Sequence, residues 1–319
     1  MTNAPGFLNI AHRGARAFAP ENTVAAIRIA RRTGANAVEL DVQMSRDGEL
    51  VVFHDDDLSR CSDAPHRFPE HTNYSLCVFT WEELSVLDVG TWYVHQLARQ
   101  PSHRDPYLRD LAQDEVDRCI LPDDADEYAS GSVRIPRLRD ALVVVRDHQL
   151  AVVLDLKTIP RRYPGIASKT LDLVRELGMQ QYTMITSFDH ELLSDIRRHD
   201  PTAPIGVLTT ERLCRAREYL ERLDADAYHP ACSGDANLLR VAPLADDIDV
   251  RTIRELTDAG FLVNVWTENR PSHMKMLIEA GVTGIFTDYP NRLARALAEL
   301  ERPALVRPGM KRRTNVPTA

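Results

Sequence analysis

Short apolar runs recur along this chain, at 7–12 (FLNIAH), 37–42 (AVELDV), 151–156 (AVVLDL), 182–187 (YTMITS), 204–208 (PIGVL), 226–229 (DAYH), 261–266 (FLVNVW) and 284–287 (GIFT). Between them, apolar residues fall at helical spacing over about 23–33, 137–148, 165–177, 190–199, 211–223, 249–259, 271–280 and 290–300. Strands that each lead into a helix predict a parallel sheet covered by helices, closed into a (β/α)8 barrel. An open doubly wound sheet is the structural alternative, but no Gly-x-Gly-x-x-Gly turn follows the first strand. Gly34, Gly178, Gly260 and Gly281 stand just past helical runs, where a left-handed residue ends a helix. Asn22 stands before the first helix as a candidate N-cap.

One stretch breaks the alternation. Residues 59–135 separate the second strand from its helix, with a short helix expected near 80–88 (TWEELSVLD) and the remainder rich in charge, histidine and proline. Loops emerging on this side of a barrel strand reach the active-site face. The segment is therefore either a cap over that face or an insertion that the barrel tolerates. The expected organisation is a barrel domain over 1–302 that includes the cap-like insertion at 59–135, followed by a disordered tail at 303–319.

The composition narrows the function. A net charge of −8 argues against bulk attraction to nucleic acid or an anionic membrane, so an anionic ligand needs local cations. Five scattered cysteines without CxxC spacing suggest free thiols in a reducing compartment. No apolar run approaches the roughly 20 residues of a spanning helix, and strand-like sequence by Phe7 leaves no room for a leader peptide. A soluble, cytoplasmic protein without stable membrane insertion is expected, acting on a small molecule.

Chemistry concentrates at strand ends. The first strand runs into His12-Arg13-Gly14, a titratable imidazole beside a fixed cation. Glu39 and Asp41 lie two apart on the second strand, so both carboxylates face one side and repel unless a cation sits between them. A hard divalent ion suits such oxygen donors. If Asp47-Gly48 forms a two-residue hairpin turn, Arg46 pairs with Glu49, and Asp41 then stands directly opposite His54. Asp155 and Lys157 share a face at the end of the strand at 151–156, a third acid for a metal and a cation for a phosphate. Asn264 and Trp266 alternate onto one face of a later strand, where Trp266 could wall a substrate pocket.

These residues resemble the glycerophosphodiester phosphodiesterase family. The shared motifs are His12-Arg13-Gly14, Pro20-Glu21-Asn22-Thr23, the Glu39-x-Asp41 pair, and His54, Asp55, Leu58 and Arg60. Later ones are Ser187-Phe188, Val265-Trp266-Thr267 and Gly284-Ile285-Phe286-Thr287-Asp288-Tyr289-Pro290. The resemblance spans residues 8–295, leaving out most of 93–131. It implies one Mg2+ or Ca2+ ion and hydrolysis to glycerol 3-phosphate and an alcohol. It also implies His12 and His54 as the acid/base pair, Arg13 on the phosphate, Glu39 and Asp41 on the metal, and Glu21 orienting a histidine or Arg13. The family usually carries Glu-x-Lys where this chain has Asp155-x-Lys157. That makes direct ligation by Asp155 less secure than by Glu39 or Asp41. A lysophospholipase D-like or other head-group phosphodiesterase is the related alternative, and a non-catalytic phosphodiester-binding protein the alternative from another class.

Overall fold

The computed structural model describes residues 6–158, 163–232, 249–302 and 309–310. Its strands are β1 (Leu8–Ala11), β2 (Ala37–Met44), β3 (Leu50–Val52), β4 (Ala151–Leu156), β5 (Thr183–Ser187), β6 (Ile205–Thr209), β7 (Ala227–Pro230), β8 (Leu262–Val265) and β9 (Gly284–Thr287). The sheet order is β1-β9-β8-β7-β6-β5-β4-β2, and β1 pairs in parallel with β2 as well as β9, which closes eight strands into a barrel. Strand β3 is additional and runs antiparallel to the far end of β2. The expected (β/α)8 barrel is the fold.

Period-2 alternation explains how this barrel presents polar groups at one end only. Leu8 and Ile10 of β1, Ala37 of β2, Ala151 and Val153 of β4, Met184 of β5, Ala227 of β7 and Phe286 of β9 form one interior cluster. Two or four residues further along the same faces come His12, Glu39, Asp41, Asp155, Lys157, Thr186, His229 and Asp288. The C-terminal ends of the strands are thus polar, while the opposite end is packed. Met310 closes the packed end, buried, with its backbone N–H on the Gln181 carbonyl at 2.7 Å. The rest of the expected tail, 303–308 and 311–319, lies outside the described residues.

The outer helices match the expected runs at Val24–Arg32, Leu138–Asp147, Ile166–Glu176, His190–His199, Val250–Asp258, Pro271–Ala280 and Pro290–Glu299. The run expected at 211–223 is helical only over Ala216–Leu223. The first helix is capped by Thr23, not Asn22: the Thr23 hydroxyl accepts from Ala26 N at 3.1 Å. Asn22 instead adopts φ 58° and turns its amide to Asp41.

The β2–β3 hairpin differs from the expected one by a register step. Met44 pairs with Leu50 and Val42 with Val52, so a three-residue loop, Arg46-Asp47-Gly48, joins Ser45 to Glu49 with Gly48 at φ 87°. Asp41 therefore stands opposite Phe53, whose N–H donates to the Asp41 carbonyl at 3.0 Å, and not opposite His54. A left-handed glycine serves a three-residue loop as well as a two-residue turn, so the dipeptide alone did not set the register.

Segment 59–135 is largely folded. Helices occupy Ala64–Arg67, Trp81–Leu84, Thr91–Ala98, Gln113–Cys119 and Pro122–Ala129, so the helix expected near 80–88 is shorter and several others went unforeseen. Leu76, Phe79, Leu84, Tyr93, Leu108 and Tyr128 are buried in a core continuous with the barrel's outer layer. Polar ties hold it down. Tyr93 Oη donates to the Ala17 carbonyl at 2.7 Å, Arg292 pairs with Glu115 at 2.5 Å, and Arg28 pairs with Glu127 at 2.5 Å.

Candidate active site

The mouth of the barrel is built on a ledge of three buried acids. β2 carries Glu39 and Asp41, and β4 carries Asp155 in register with Asp41. One carboxylate oxygen from each lies within 4.8 Å of the others. Asp155 Oδ1 is buried without a hydrogen-bond partner, while Oδ2 accepts from Lys157 Nζ at 2.5 Å. Lys157 also reaches Asp41 Oδ1 at 2.8 Å. Burial first, then the charges of Asp41 and Asp155, pushes the Glu39 carboxyl well above its ordinary range. Asp155 is likewise raised by burial, against the pull of Lys157. At Asp41 burial acts in the same sense, but Lys157, His54 and Arg13 outweigh it and the carboxyl is held low. His54 thus lies close to Asp41 although it is not paired with it across the hairpin.

Local backbone explains where Arg13 points. Arg13 and Gly14 have φ of 53° and 76°, a left-handed turn straight after β1. A Cβ on Gly14 would lie 2.5 Å from that of Ala26, so only glycine lets the first helix approach here. The turn aims Arg13 N–H at Glu39 Oε2 at 2.8 Å and its guanidinium at Glu21 at 2.9 Å and Asp41 at 3.6 Å. The amide of Asn22 donates to Asp41 Oδ2 at 2.7 Å. Glu21 lies against Arg13 and Arg60, at 2.9 and 2.6 Å, and an oxygen of it comes within 4.8 Å of a His54 ring nitrogen.

Each histidine is backed by a carboxylate. His12 Nδ1 contacts Asp288 Oδ1 at 2.8 Å, and Asp288 also accepts from Arg16 Nε and Nη2 at 2.5 and 3.1 Å and from Asn269 at 2.7 Å. So many donors hold the Asp288 carboxylate far below the ordinary range despite its burial. Burial, then the positive charge of Arg16, pushes His12 down to about 4, against the opposing effect of Asp288. With Nδ1–H donating to Asp288, the lone pair of His12 is on Nε2. His54 Nδ1 contacts Asp55 Oδ1 at 2.6 Å, and Arg60 grips Asp55 through Nε at 2.5 Å. Burial first, then Arg13, lowers His54 as well. Burial works to raise Asp55, but the hydrogen bonds from His54 and Arg60 prevail and leave it at about 2.

An aromatic wall completes the mouth. Trp266 donates Nε1–H to the His229 carbonyl at 2.8 Å and meets Phe188 edge-on at 5.5 Å, while Lys157 Nζ lies 6.0 Å from the Phe188 ring. Asp288, Asp55, Arg16 and Arg60 were not singled out from the sequence as site residues. Asp288 could have been, since it continues the inward alternation Gly284, Phe286.

Two further groupings of potential ligands occur among the described residues: Glu21, His54 and Asp55, and Cys232, Glu268 and His273. In both, arginines already neutralise the acids. Arg60 grips Glu21 and Asp55, and Arg270 grips Glu268 at 3.0 Å. Only the ledge of Glu39, Asp41 and Asp155 combines three acids with an orphaned buried oxygen. Its all-oxygen donor set fits a hard divalent cation.

The mouth of this (β/α)8 barrel thus carries three buried acids, several cations and two carboxylate-backed histidines, the kinds of group that hydrolysis of an anionic ester requires. The glycerophosphoryl diester phosphodiesterase family profile matches residues 12–292, and the chain belongs to that family. It is 28% identical over 286 residues to a glycerophosphodiester phosphodiesterase of Caldanaerobacter subterraneus subsp. tengcongensis, covering 90% of this chain and 96% of that one. Against one from Bacillus altitudinis it is 27% identical over 292 residues, covering 91% and 98%. An Oleispira antarctica phosphodiesterase, solved with its product sn-glycerol-3-phosphate, superposes with a TM-score of 0.67 at 24% identity, over 91% of this chain and 96% of that one. No helix among the described residues is long and apolar enough to cross a membrane.

Proposed function

We propose that this enzyme hydrolyses glycerophosphodiesters to glycerol 3-phosphate and an alcohol, with one divalent cation, Mg2+ or Ca2+, and two histidines. The gathering of Glu39, Asp41 and Asp155, with Asp155 Oδ1 buried and unpartnered, carries the reading. Three acids this close and this buried demand more positive charge than Lys157 and Arg13 supply. Glu39, Asp41 and Asp155 would hold the ion. When bound, it would neutralise charge on the phosphoryl group.

The remaining chemistry belongs to the side chains. Arg13 and Lys157 bind phosphoryl oxygens and offset the charge that builds up in transfer. Glu21 holds Arg13 in place. One histidine accepts the proton of the nucleophile and the other, in its protonated form, gives its proton to the leaving alkoxide, the pair being reset by exchange with solvent; His12, neutral with its lone pair on Nε2, fits the first role. Trp266 and Phe188 shield one side of the bound substrate. The product seen in the Oleispira antarctica protein is the one this chemistry yields.

A lysophospholipase D-like activity is the second reading. It is favoured by two aromatic residues of the insertion, Trp92 and Tyr107, which lie over Arg60 and Arg16 at 5.7 and 4.1 Å and could receive an apolar substrate tail. In either case 1–302 is one catalytic domain with 59–135 as its cap, and the protein works in the cytoplasm. Incubating the protein with a panel of glycerophosphodiesters and lysolipids, with Mg2+ or Ca2+, and identifying the products decides between the readings. Release of glycerol 3-phosphate from the deacylated substrates is expected. Turnover of lysolipids alone would favour the second reading, and no cleavage in either set would refute both.

A further inference from the structure

The insertion reaches one of the histidines through a relay of side chains. Tyr107, in the turn Pro106–Leu108, lays its ring over the Arg16 guanidinium with 4.1 Å between ring centroid and Cζ. Its backbone is tied to the barrel, since Tyr289 Oη donates to the Tyr107 carbonyl at 2.5 Å. Arg16 in turn grips Asp288 with two nitrogens, and Asp288 holds His12 Nδ1. Nothing in this relay is loose. The Arg16 side chain is 10% exposed and that of Asp288 is 0% exposed.

The shape of the relay decides what it does to His12. Both oxygens of Asp288 are taken up, Oδ1 by Arg16 Nε and His12, and Oδ2 by Arg16 Nη2 and Asn269. Asp288 cannot rotate away from His12 without breaking the paired contact to Arg16. An arginine delivers this two-pronged grip on a carboxylate, whereas a lysine would not. The charged groups bearing on His12 are Asp288 at the end of β9 and Arg16 and Arg13 in the loop after β1. Burial first, and then the two cations set against one anion, keeps the imidazole uncharged although a carboxylate touches it.

Resting on the phosphodiesterase reading above, we infer that Arg16, buttressed by the ring of Tyr107 from the insertion, is the positioning residue of His12. It locks Asp288 so that His12 keeps one ring orientation and one tautomer, and it keeps the ring a proton acceptor in the working pH range. The insertion thereby contributes to proton transfer as well as covering the site. Tyr107 acts through its ring, and its hydroxyl has no part in the relay.

The test reads His12 in two independent ways. The first is the imidazole 15N and 13C titration by NMR in the absence of substrate. The second is the acidic limb of kcat/KM against pH. Arg16→Gln removes a cation and frees Asp288, so both readouts are expected to move up by one pH unit or more, the usual effect of a neighbouring charge. Tyr107→Leu is expected to move them part of the way. Tyr107→Phe keeps the ring and is expected to leave the limb where it is in the wild type. Arg16→Lys keeps the charge but not the two-pronged grip, so kcat falls while the limb stays near its wild-type position.

An Arg16→Gln protein whose His12 titrates as in the wild type overturns the inference, even if its turnover is low. So does a Tyr107→Leu protein identical to wild type in both readouts. If Arg16→Gln does not fold, Arg16→Lys and Tyr107→Leu still decide. Because the NMR titration needs no turnover, a wild-type protein without phosphodiesterase activity would sink the functional reading and leave the His12 relay separately testable.

Discussion

Replacing Asp155 by asparagine probes the metal reading at the acid that keeps a buried, unpartnered oxygen. Without metal, the change removes a charge that burial already disfavours, and Lys157 keeps its contact to Asp41 at 2.8 Å. The metal-free fold should therefore lose little. With metal the balance reverses. Two unit charges at the 4.8 Å that bounds the ligand oxygens interact by about 3.5 kcal/mol at an effective dielectric of about 20. A cation in direct contact gains more before its dehydration is subtracted. A net loss of about 2–3 kcal/mol, roughly 30- to 150-fold in Kd, is expected. At a metal concentration about 100 times the wild-type Kd, the wild type gains about 2.7 kcal/mol and the variant on the order of 1 kcal/mol or less. At about 2 °C per kcal/mol, the metal-induced rise in Tm should shrink by roughly 4 °C. Thermal melts and activity, each titrated with Mg2+ and with Ca2+, measure this. Superimposable metal titrations for wild type and Asp155→Asn would remove Asp155 from contact with the ion.

Other consequences follow from the same geometry. His12→Ala and His54→Ala should each lower kcat by roughly 10²- to 10⁴-fold with little change in substrate binding, and the double variant should fall well short of the product of the two. Wild-type turnover in either single variant would strip that histidine of its role. Excess chelator should abolish turnover, and an added divalent cation should restore it; full activity in metal-stripped protein would refute the metal. In chelator, Glu39→Gln should gain stability over wild type as pH rises above the ordinary carboxyl value of 4.5. The Glu39 carboxyl is raised on folding, so its contribution is complete below the ordinary value of 4.5 and is lost as pH climbs through the raised one. A pH-independent difference in urea unfolding would contradict it. His12 is lowered from 6.5 to about 4, so its contribution is present above 6.5 and is lost as pH falls through that window, about 3 kcal/mol in all. His12→Asn should remove that part of the acid sensitivity, as read by denaturation at several pH values.

What could be read from the chain depended on how local its cause was. Alternation along a strand is local, so the inward pairs Glu39 with Asp41 and Asp155 with Lys157 were visible, and the same period carried through Gly284 and Phe286 leads to Asp288. Helix ends were visible for the same reason: left-handed residues do stand at Gly34, Gly178, Gly260 and Gly281, with φ between 66° and 102°. The hairpin register was not, because Gly48 in a left-handed conformation is compatible with either loop length. What chose between them lies partly outside the hairpin: Arg46 N–H donates to the Phe79 carbonyl and Val52 N–H to the Pro136 carbonyl, at 2.8 and 3.0 Å. The segment at 59–135 was illegible in a deeper sense. Its helices are only four to eight residues long, too short to form without tertiary packing. Their apolar residues find partners across the insertion, as Tyr93 does on Tyr128 at 5.8 Å, and in a core shared with the barrel's outer layer, not at a regular spacing along the sequence.

Arg16 belongs to the same class. Nothing near it in sequence distinguishes it from a solvated arginine. Its meaning comes from Asp288, which lies 272 residues away, and from Tyr107 on an inserted turn. A buried arginine is costly unless its charge is met, and here the charge is met by the same carboxylate that holds His12. On the reading proposed above, that shared carboxylate links the insertion to the site: a change in how the insertion seats Tyr107 reaches the imidazole through Arg16 and Asp288.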